Sequence, residues 1–364
     1  MKPQTIAENA KISPFLVFYL IISMQIGLGI LRYQRVIAKA AGYDSWISVL
    51  VAGLSVHVII WMIYKITETV DGDLFQAHQY VFGNILAKFL SMLFIFYFCL
   101  LAITVVRSFV EVVQVWMFPD INTFWFSLAF FILCIYIIFG GFRTVTGIAF
   151  LGTILPSLLS FTFAYTIPFS DFTNIFPLFD HSLKELGKAY FDMTLTYAGY
   201  ETLLFFYPFI KDPQKSKKWA HLAVFLTTLI YTFFALLTFA YFSEKQLQET
   251  IWPTLNMWKI VEMPFAERFE YIGIASWNLF ILPKICICLW ITSRLTKQIF
   301  HIRQRRGVIL ISIICLAISS LFTTRIQINF LTEWAGKMSF LFNYLYIPFI
   351  FIAVMIAKKV KSSG

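Results

Sequence analysis

The chain has 364 residues, 59% of them hydrophobic, 19% aromatic and only 13% charged, with a mean hydropathy of +0.77. Soluble domains carry about 25% charged residues, so this composition excludes an ordinary soluble domain and points to an all-α integral membrane protein. The formal net charge of +10 is topological rather than a nucleic-acid footprint, because Lys and Arg gather in short segments between apolar runs.

In chain order, residues 1–12 form a polar tail. No cleavable signal peptide is expected, because the first apolar run is a full span followed by Arg32 and Arg35 without a small-residue cleavage site. Ser13-Pro14 reads as an N-cap followed by Pro at the first helical position. Apolar runs then predict ten transmembrane helices over 14–36, 45–66, 87–118, 122–139, 146–168, 186–210, 219–242, 272–293, 307–324 and 338–357. Most hold the ~20 apolar residues needed to cross ~30 Å of hydrocarbon. Backbone groups cannot stay unpaired in lipid, so these runs are helices, and the alternating barrel pattern is absent. Asp71-Gly72, Pro119-Asp120, Gly140-Gly141 and Asp212-Pro213 punctuate the chain between spans.

An even number of spans puts both termini on one side. Lys215, Lys217, Lys218, Arg303, Arg305, Arg306, Lys358, Lys359 and Lys361 favour the cytoplasm as that side. The expected organisation is one transmembrane domain, 1–364, divided into 14–168 (helices one to five) and 186–357 (helices six to ten). Each half has an odd number of spans, so the halves run in inverted orientation.

Each half opens on an interrupted helix. The first holds Gln25-Ile26-Gly27-Leu28-Gly29, and the sixth holds Thr196-Tyr197-Ala198-Gly199-Tyr200-Glu201. Glycines inside a helix weaken it by ~1 kcal/mol each, and paired discontinuous helices at matching positions mark transporter-type binding sites. Counting 1.5 Å per residue from the helix starts brings Gly27, Gly29, Gly199, Glu201 and Lys284 to one mid-membrane layer. Unwound N–H groups cradle a carboxylate, and exposed carbonyls hold an ammonium. The candidate ligand residues are Gln25, Gly27, Leu28, Gly29, Tyr97, Ala198, Gly199, Tyr200 and Glu201. The bland alternative for the glycines is close helix packing.

Charges inside spans are costly and face the bundle interior. Glu201 and Lys284 are therefore candidates for an ion pair or a proton-linked pair that gates the cavity, or for a structural pair that fixes helix packing. Arg107 and Glu111 are i,i+4 neighbours placed for a salt bridge, either an outer gate or, with more weight, a solvated helix end. His57 is read as a hydrogen-bonded bundle histidine, and Asn278 and Asn343 as bonds across helices. The five cysteines sit in apolar runs and read as buried thiols. No cofactor or metal site is expected, and no catalytic motif stands out.

The segment IGLGILRYQRVIAKAAGYDSWISVLVAG, residues 26–53, and the stretch TYAGYETLLFFYPFIKDP, residues 196–213, resemble the B subunit of spore nutrient-germinant receptors. The resemblance covers essentially the whole chain and implies the amino acid–polyamine–organocation superfamily, with a LeuT-like five-plus-five inverted-repeat fold interrupted in helices 1 and 6. It implies a sensor in the spore inner membrane that binds a nutrient, an amino acid first, with an A subunit and a lipoprotein C subunit as partners. Carried onto this chain, the ligand-cradling turns are residues 27–29 and 198–201. Many relatives read Leu-Pro-Arg after the first break; here Leu31-Arg32-Tyr33-Gln34-Arg35 stands without the proline. The competing expectation is a proton- or sodium-coupled amino-acid transporter.

Overall fold

A computed structural model describes residues 6–261 and 268–363. The start of the polar tail, with Lys2, lies outside the described residues. Helix α1 spans Leu16–Gln25 and α2 spans Tyr33–Ala41, joined through a 3-10 turn at Leu28–Leu31. Helices α3, Trp46–Val70, α4, Leu74–Trp116, and α5, Thr123–Phe139, follow. Helix α6, Phe142–Ser157, continues as 3-10 turns over Leu158–Phe169. Helix α7, Leu183–Tyr197, gives way to a 3-10 turn at Tyr200–Thr202 and the short α8, Leu203–Phe206. Helix α9 is Lys217–Tyr241, and the short α10, Glu244–Glu249, and α11, Pro253–Trp258, lead toward α12, Phe269–Phe300. Helix α13 is Gln304–Leu321; α14, Arg325–Phe340, passes through a π turn, Leu341–Tyr346, into α15, Ile347–Ser363.

Among the described residues, seven helical stretches are long and apolar enough to cross a membrane, and α1 and α5 are shorter apolar helices. Large apolar side chains such as Leu54, Phe96, Ile132, Tyr136 and Phe161 stand exposed around the bundle. A soluble protein does not leave so much apolar surface in water; here it is the lipid-facing surface of a multi-pass membrane protein.

Local chemistry explains the helix ends. Asp73 caps α4 by accepting the Gln76 N–H, while the Gln76 side chain accepts the Asp73 N–H at 2.7 Å, a reciprocal capping box. Asp71 ends α3 in the left-handed region, and Gly141, at φ +90°, opens α6. Ser13 departs from expectation. Helix α1 begins at Leu16, and Ser13 offers only its carbonyl, accepting the Leu16 N–H at 3.1 Å.

Helix α12 runs past its predicted end, and two helical runs start well before hydropathy predicts. Helix α4 starts at Leu74 and kinks at Gly83, φ +77°. Its polar first turns escape a hydropathy count because His78 is buried, bonded to Ser91 at 3.0 Å and to Tyr346 at 2.5 Å. The predicted span 338–357 belongs to a helical run that begins at Arg325. Its N-terminal half is polar because Arg325, Glu333 and Lys337 line an outer vestibule rather than lipid.

The core centres on α12, which packs against α4, α6 and α13. Helix α2 packs on α7, α3 on α9 and α7, and α1 on α9 and α6. Arg294 of α12 pairs with Asp73 at 3.1 Å, and Gln298 donates to the same carboxylate oxygen at 2.8 Å, tying α12 to the start of α4. His57 and His221 meet Nδ1 to Nδ1 at 2.8 Å between α3 and α9. Asn278 differs from expectation, donating within its own helix to the Ala275 carbonyl one turn back; Asn343 donates to Ser339 and its side chain also hydrogen-bonds the Glu201 carboxylate across the bundle, as expected. Cys99 is half-buried, and Cys134, Cys286, Cys288 and Cys315 are buried; all five are free thiols.

Candidate functional site

The two interrupted helices touch at their breaks. Helix α1 ends at Gln25, and Gly27 is fully extended. Helix α7 ends at Tyr197, and Gly199 sits at φ +128°, a conformation that L side chains rarely adopt. A Cβ on Gly199 would lie 2.6 Å from the Met24 Cβ and 2.8 Å from the Met24 carbonyl, so glycine is what allows the second break to rest on the first.

Helix ends leave carbonyls without intrahelical partners, and buried ones need donors. Gln25 supplies one, its side-chain amide donating to the Tyr197 carbonyl at 3.2 Å. Tyr231 of α9 supplies the other: its hydroxyl donates to the Gln25 carbonyl at 2.9 Å and stands 3.2 Å from the Thr196 carbonyl. Tyr33 in turn donates to the Tyr231 carbonyl. Sequence reasoning missed Tyr231. It is one of 17 tyrosines, and no local signal distinguishes it from its neighbours on α9.

Beside these breaks lies a cavity of about 160 Å³. Gln25, Leu28, Gly29 and Arg32 line it from the first broken helix, and Asp192, Thr196, Ala198 and Gly199 from the second. Leu101, Thr104, Ser108 and Glu111 of α4, Lys284 and Cys288 of α12, and Arg325 of α14 complete the wall. Arg32, Asp192 and Arg325 also line a wider outer vestibule of about 760 Å³, so they stand where the cavity opens. The Gln25 Oε1 is buried and has no hydrogen-bond donor among the described residues.

Of the candidate ligand residues, Gln25, Leu28, Gly29, Ala198 and Gly199 stand on the cavity wall. Gly27, Tyr97, Tyr200 and Glu201 lie behind it. The Gly27 carbonyl accepts the Trp277 indole N–H at 3.3 Å, and a Cβ on Gly27 would meet the Lys284 Nζ at 2.6 Å. Glu201 is wholly buried and accepts the Tyr97 hydroxyl at 2.7 Å and the Gly199 N–H at 2.6 Å.

Two candidate pairings are corrected. Glu201 and Lys284 form no ion pair: the carboxylate turns toward α4 and its own break, while the Lys284 ammonium lies against Gly27. Arg107 and Glu111 do not pair either. Arg107 is not a solvated helix end but is 2% exposed, donating to the Phe322 carbonyl and, at 3.0 Å, to the Thr323 carbonyl. Glu111 instead pairs with Arg325 at 2.6 Å. The cause is the turn from α13 into α14, which folds over α4 and brings both carbonyls and a guanidinium within reach.

Similarity to known proteins agrees with this architecture. A model of the spore germination protein family matches residues 11–328. Spore germination protein GerQB of Bacillus cereus is 42% identical over 342 residues, covering 94% of this chain and 95% of that protein. Spore germination protein B2 of Bacillus subtilis (strain 168) is 24% identical over 269 residues, covering 71% and 72%. Among solved structures, a Na⁺-coupled sialic acid symporter in a substrate-bound outward-open state aligns with a TM-score of 0.66 at 13% identity, covering 98% of this chain and 82% of that one. MhsT in complex with L-phenylalanine aligns with a TM-score of 0.58 at 12% identity, covering 95% and 97%. At these identities the likeness is one of fold, a LeuT-like transporter fold.

Proposed function

The chain belongs to the spore germination protein family, and from that membership we propose that it is the nutrient-sensing B subunit of a germinant receptor, binding a small ligand between its two broken helices. The observation that carries this reading is the cavity lined by both Gly29 and Gly199, with Gln25, whose Oε1 is unpaired among the described residues, on its wall. A buried acceptor without a donor costs about 1–3 kcal/mol, and the ammonium of an amino acid would relieve it. The reading includes ten spans in two inverted halves, 14–168 and 186–357, with both termini cytoplasmic in the spore inner membrane. It includes an A subunit and a lipoprotein C subunit as the partners that respond.

Sensing then works by population shift. A ligand that fits one bundle arrangement better than another moves the equilibrium by its differential affinity, and a second body reads the change. The transporter fold of the structural neighbours favours one competing reading, a coupled amino-acid transporter working on the same cavity.

The test is paired binding and uptake by the full chain in liposomes, across a panel of amino acids, nucleosides and sugars, with Gly29→Trp as the blocked control. Gly29 lines the cavity, and the atoms nearest a Cβ there belong to Thr196, itself on the cavity wall, so an indole there fills the space. Saturable binding without uptake, lost in the variant, supports the sensor. Concentrative uptake overturns it in favour of the transporter. Binding that the tryptophan leaves untouched removes the ligand from this cavity.

A further inference from the structure

Four charged residues line the cavity near its opening: Arg32, Asp192 and Arg325, which the vestibule shares, and Glu111, which pairs with Arg325. Their charges are not equally met. Glu111 and Arg325 neutralise each other at 2.6 Å, and Arg325 also lies 5.2 Å above the Trp252 ring. The charge facing Asp192 is Lys188, one turn earlier on α7. Arg35, just outside, spends its Nε–H on the Gln248 carbonyl at 2.8 Å. The Arg32 side chain makes no hydrogen bond or ion pair among the described residues, although Arg32 is the N-cap of α2 and borders both cavity and vestibule.

The charges around Arg32 make this lack of a partner more pointed. Arg325 and Arg35 face it with like charge, and Glu111, already paired, is the one carboxylate acting on it. Two guanidinium groups thus press on Arg32 with like charge, against one carboxylate that is already paired. The planar fork of a guanidinium holds a carboxylate through two parallel hydrogen bonds, and an enclosed site strengthens such bonds relative to water.

We propose that Arg32 is the anion-reading residue of this cavity, receiving the carboxylate of the ligand at the mouth rather than at the unwound helix backbone. The proposal rests on the small-ligand reading above and goes further by naming the charged group and its receiver. The ligand then lies with its carboxylate outward at Arg32 and its ammonium inward toward the Gln25 Oε1.

The experiment uses the full chain in lipid nanodiscs. Wild type, Arg32→Gln and Arg32→Lys are titrated with the common L-amino acids and their carboxamides, and thermal unfolding reports binding. In parallel, phenylglyoxal modification of Arg32 in wild type is followed by peptide mass, with sodium propionate, inorganic phosphate or sodium chloride at equal ionic strength. Amino acids that bind wild type are expected to bind about tenfold more weakly as carboxamides; Arg32→Gln should treat both forms alike, and Arg32→Lys should retain part of the difference. Propionate is expected to slow modification of Arg32 relative to chloride. This second arm decides the matter if Arg32→Gln fails to fold. Protection by phosphate alone overturns the carboxylate assignment. Arg32 modified at one rate in all three salts, or carboxamide discrimination that survives in Arg32→Gln, overturns the proposal while leaving the nutrient site intact. Propionate protection with no amino acid binding does the reverse: the anion site stands and the nutrient reading falls.

Discussion

Gln25 and Tyr197, 172 positions apart in the chain, meet through a hydrogen bond of 3.2 Å from the Gln25 side-chain amide to the Tyr197 carbonyl. These residues end the two broken helices, so this one bond ties break to break. Tyr231 completes the tie from α9, and Gln25 carries it to the cavity wall.

Tyr231→Phe removes the donor to the Gln25 carbonyl and leaves that buried acceptor unpaired. The expected loss is about 1–3 kcal/mol, read as a lower thermal midpoint in detergent. Tyr33→Phe is the control. Its hydroxyl serves the Tyr231 carbonyl, which lies inside α9 and also belongs to the helical ladder, so the loss should be smaller. Equal losses would mean that the breaks do not depend on Tyr231.

The two break glycines should respond differently to alanine. At Gly199 the new Cβ meets Met24 backbone and must hold φ +128°, so Gly199→Ala should destabilise by about 3 kcal/mol or more. At Gly27 the backbone is extended and the obstacle is the flexible end of Lys284. Gly27→Ala should therefore fold, with a loss of about 1 kcal/mol. Thermal unfolding of both variants checks the ranking; a Gly27→Ala that fails while Gly199→Ala folds would reverse it.

Glu201 is a latch, since its two oxygens hold the Tyr97 hydroxyl of α4 and the Gly199 N–H of the break. Glu201→Leu strands both donors and should lose about 2–4 kcal/mol. Glu201→Gln should lose less, because the Tyr97 hydroxyl can rotate to accept from the new amide. Exchanging the charges of Glu201 and Lys284 should rescue neither single variant, because the two do not pair. Rescue by the double variant is the result that would restore an ion-pair gate.

Asp44 holds a loop that hydropathy ignores. Its carboxylate accepts the backbone N–H groups of Phe179, Asp180 and His181 at 2.8, 2.7 and 3.1 Å. Asp44→Ala removes all three acceptor contacts, and limited proteolysis should cut within residues 176–182 several-fold faster, by roughly 1–2 kcal/mol of local opening free energy. Unchanged cleavage would show that the loop is held by other contacts.

The sequence by itself determined that the chain is helical and membrane-embedded, because apolar runs of this length have no other stable form in lipid. It also located both breaks, since Gly27, Gly29 and Gly199 weaken a helix wherever they stand. The breaks at Asp71-Gly72 and Gly140-Gly141 follow from the same local chemistry, whereas the cap at Asp73 escapes hydropathy because the polar first turns of α4 fall outside the apolar run. What only the tertiary structure decided is which polar groups meet. Glu111 finds Arg325 rather than Arg107, four residues away; Glu201 finds Tyr97 rather than Lys284; and the Arg32 side chain finds no hydrogen-bond or ion-pair partner among the described residues. Helical periodicity tells which side chains share a face, but not which helix that face will oppose. Hydropathy cannot separate a polar helix end in water from one lining an internal vestibule, which is why α14 and the burial of Arg107 became visible only once the helices were packed.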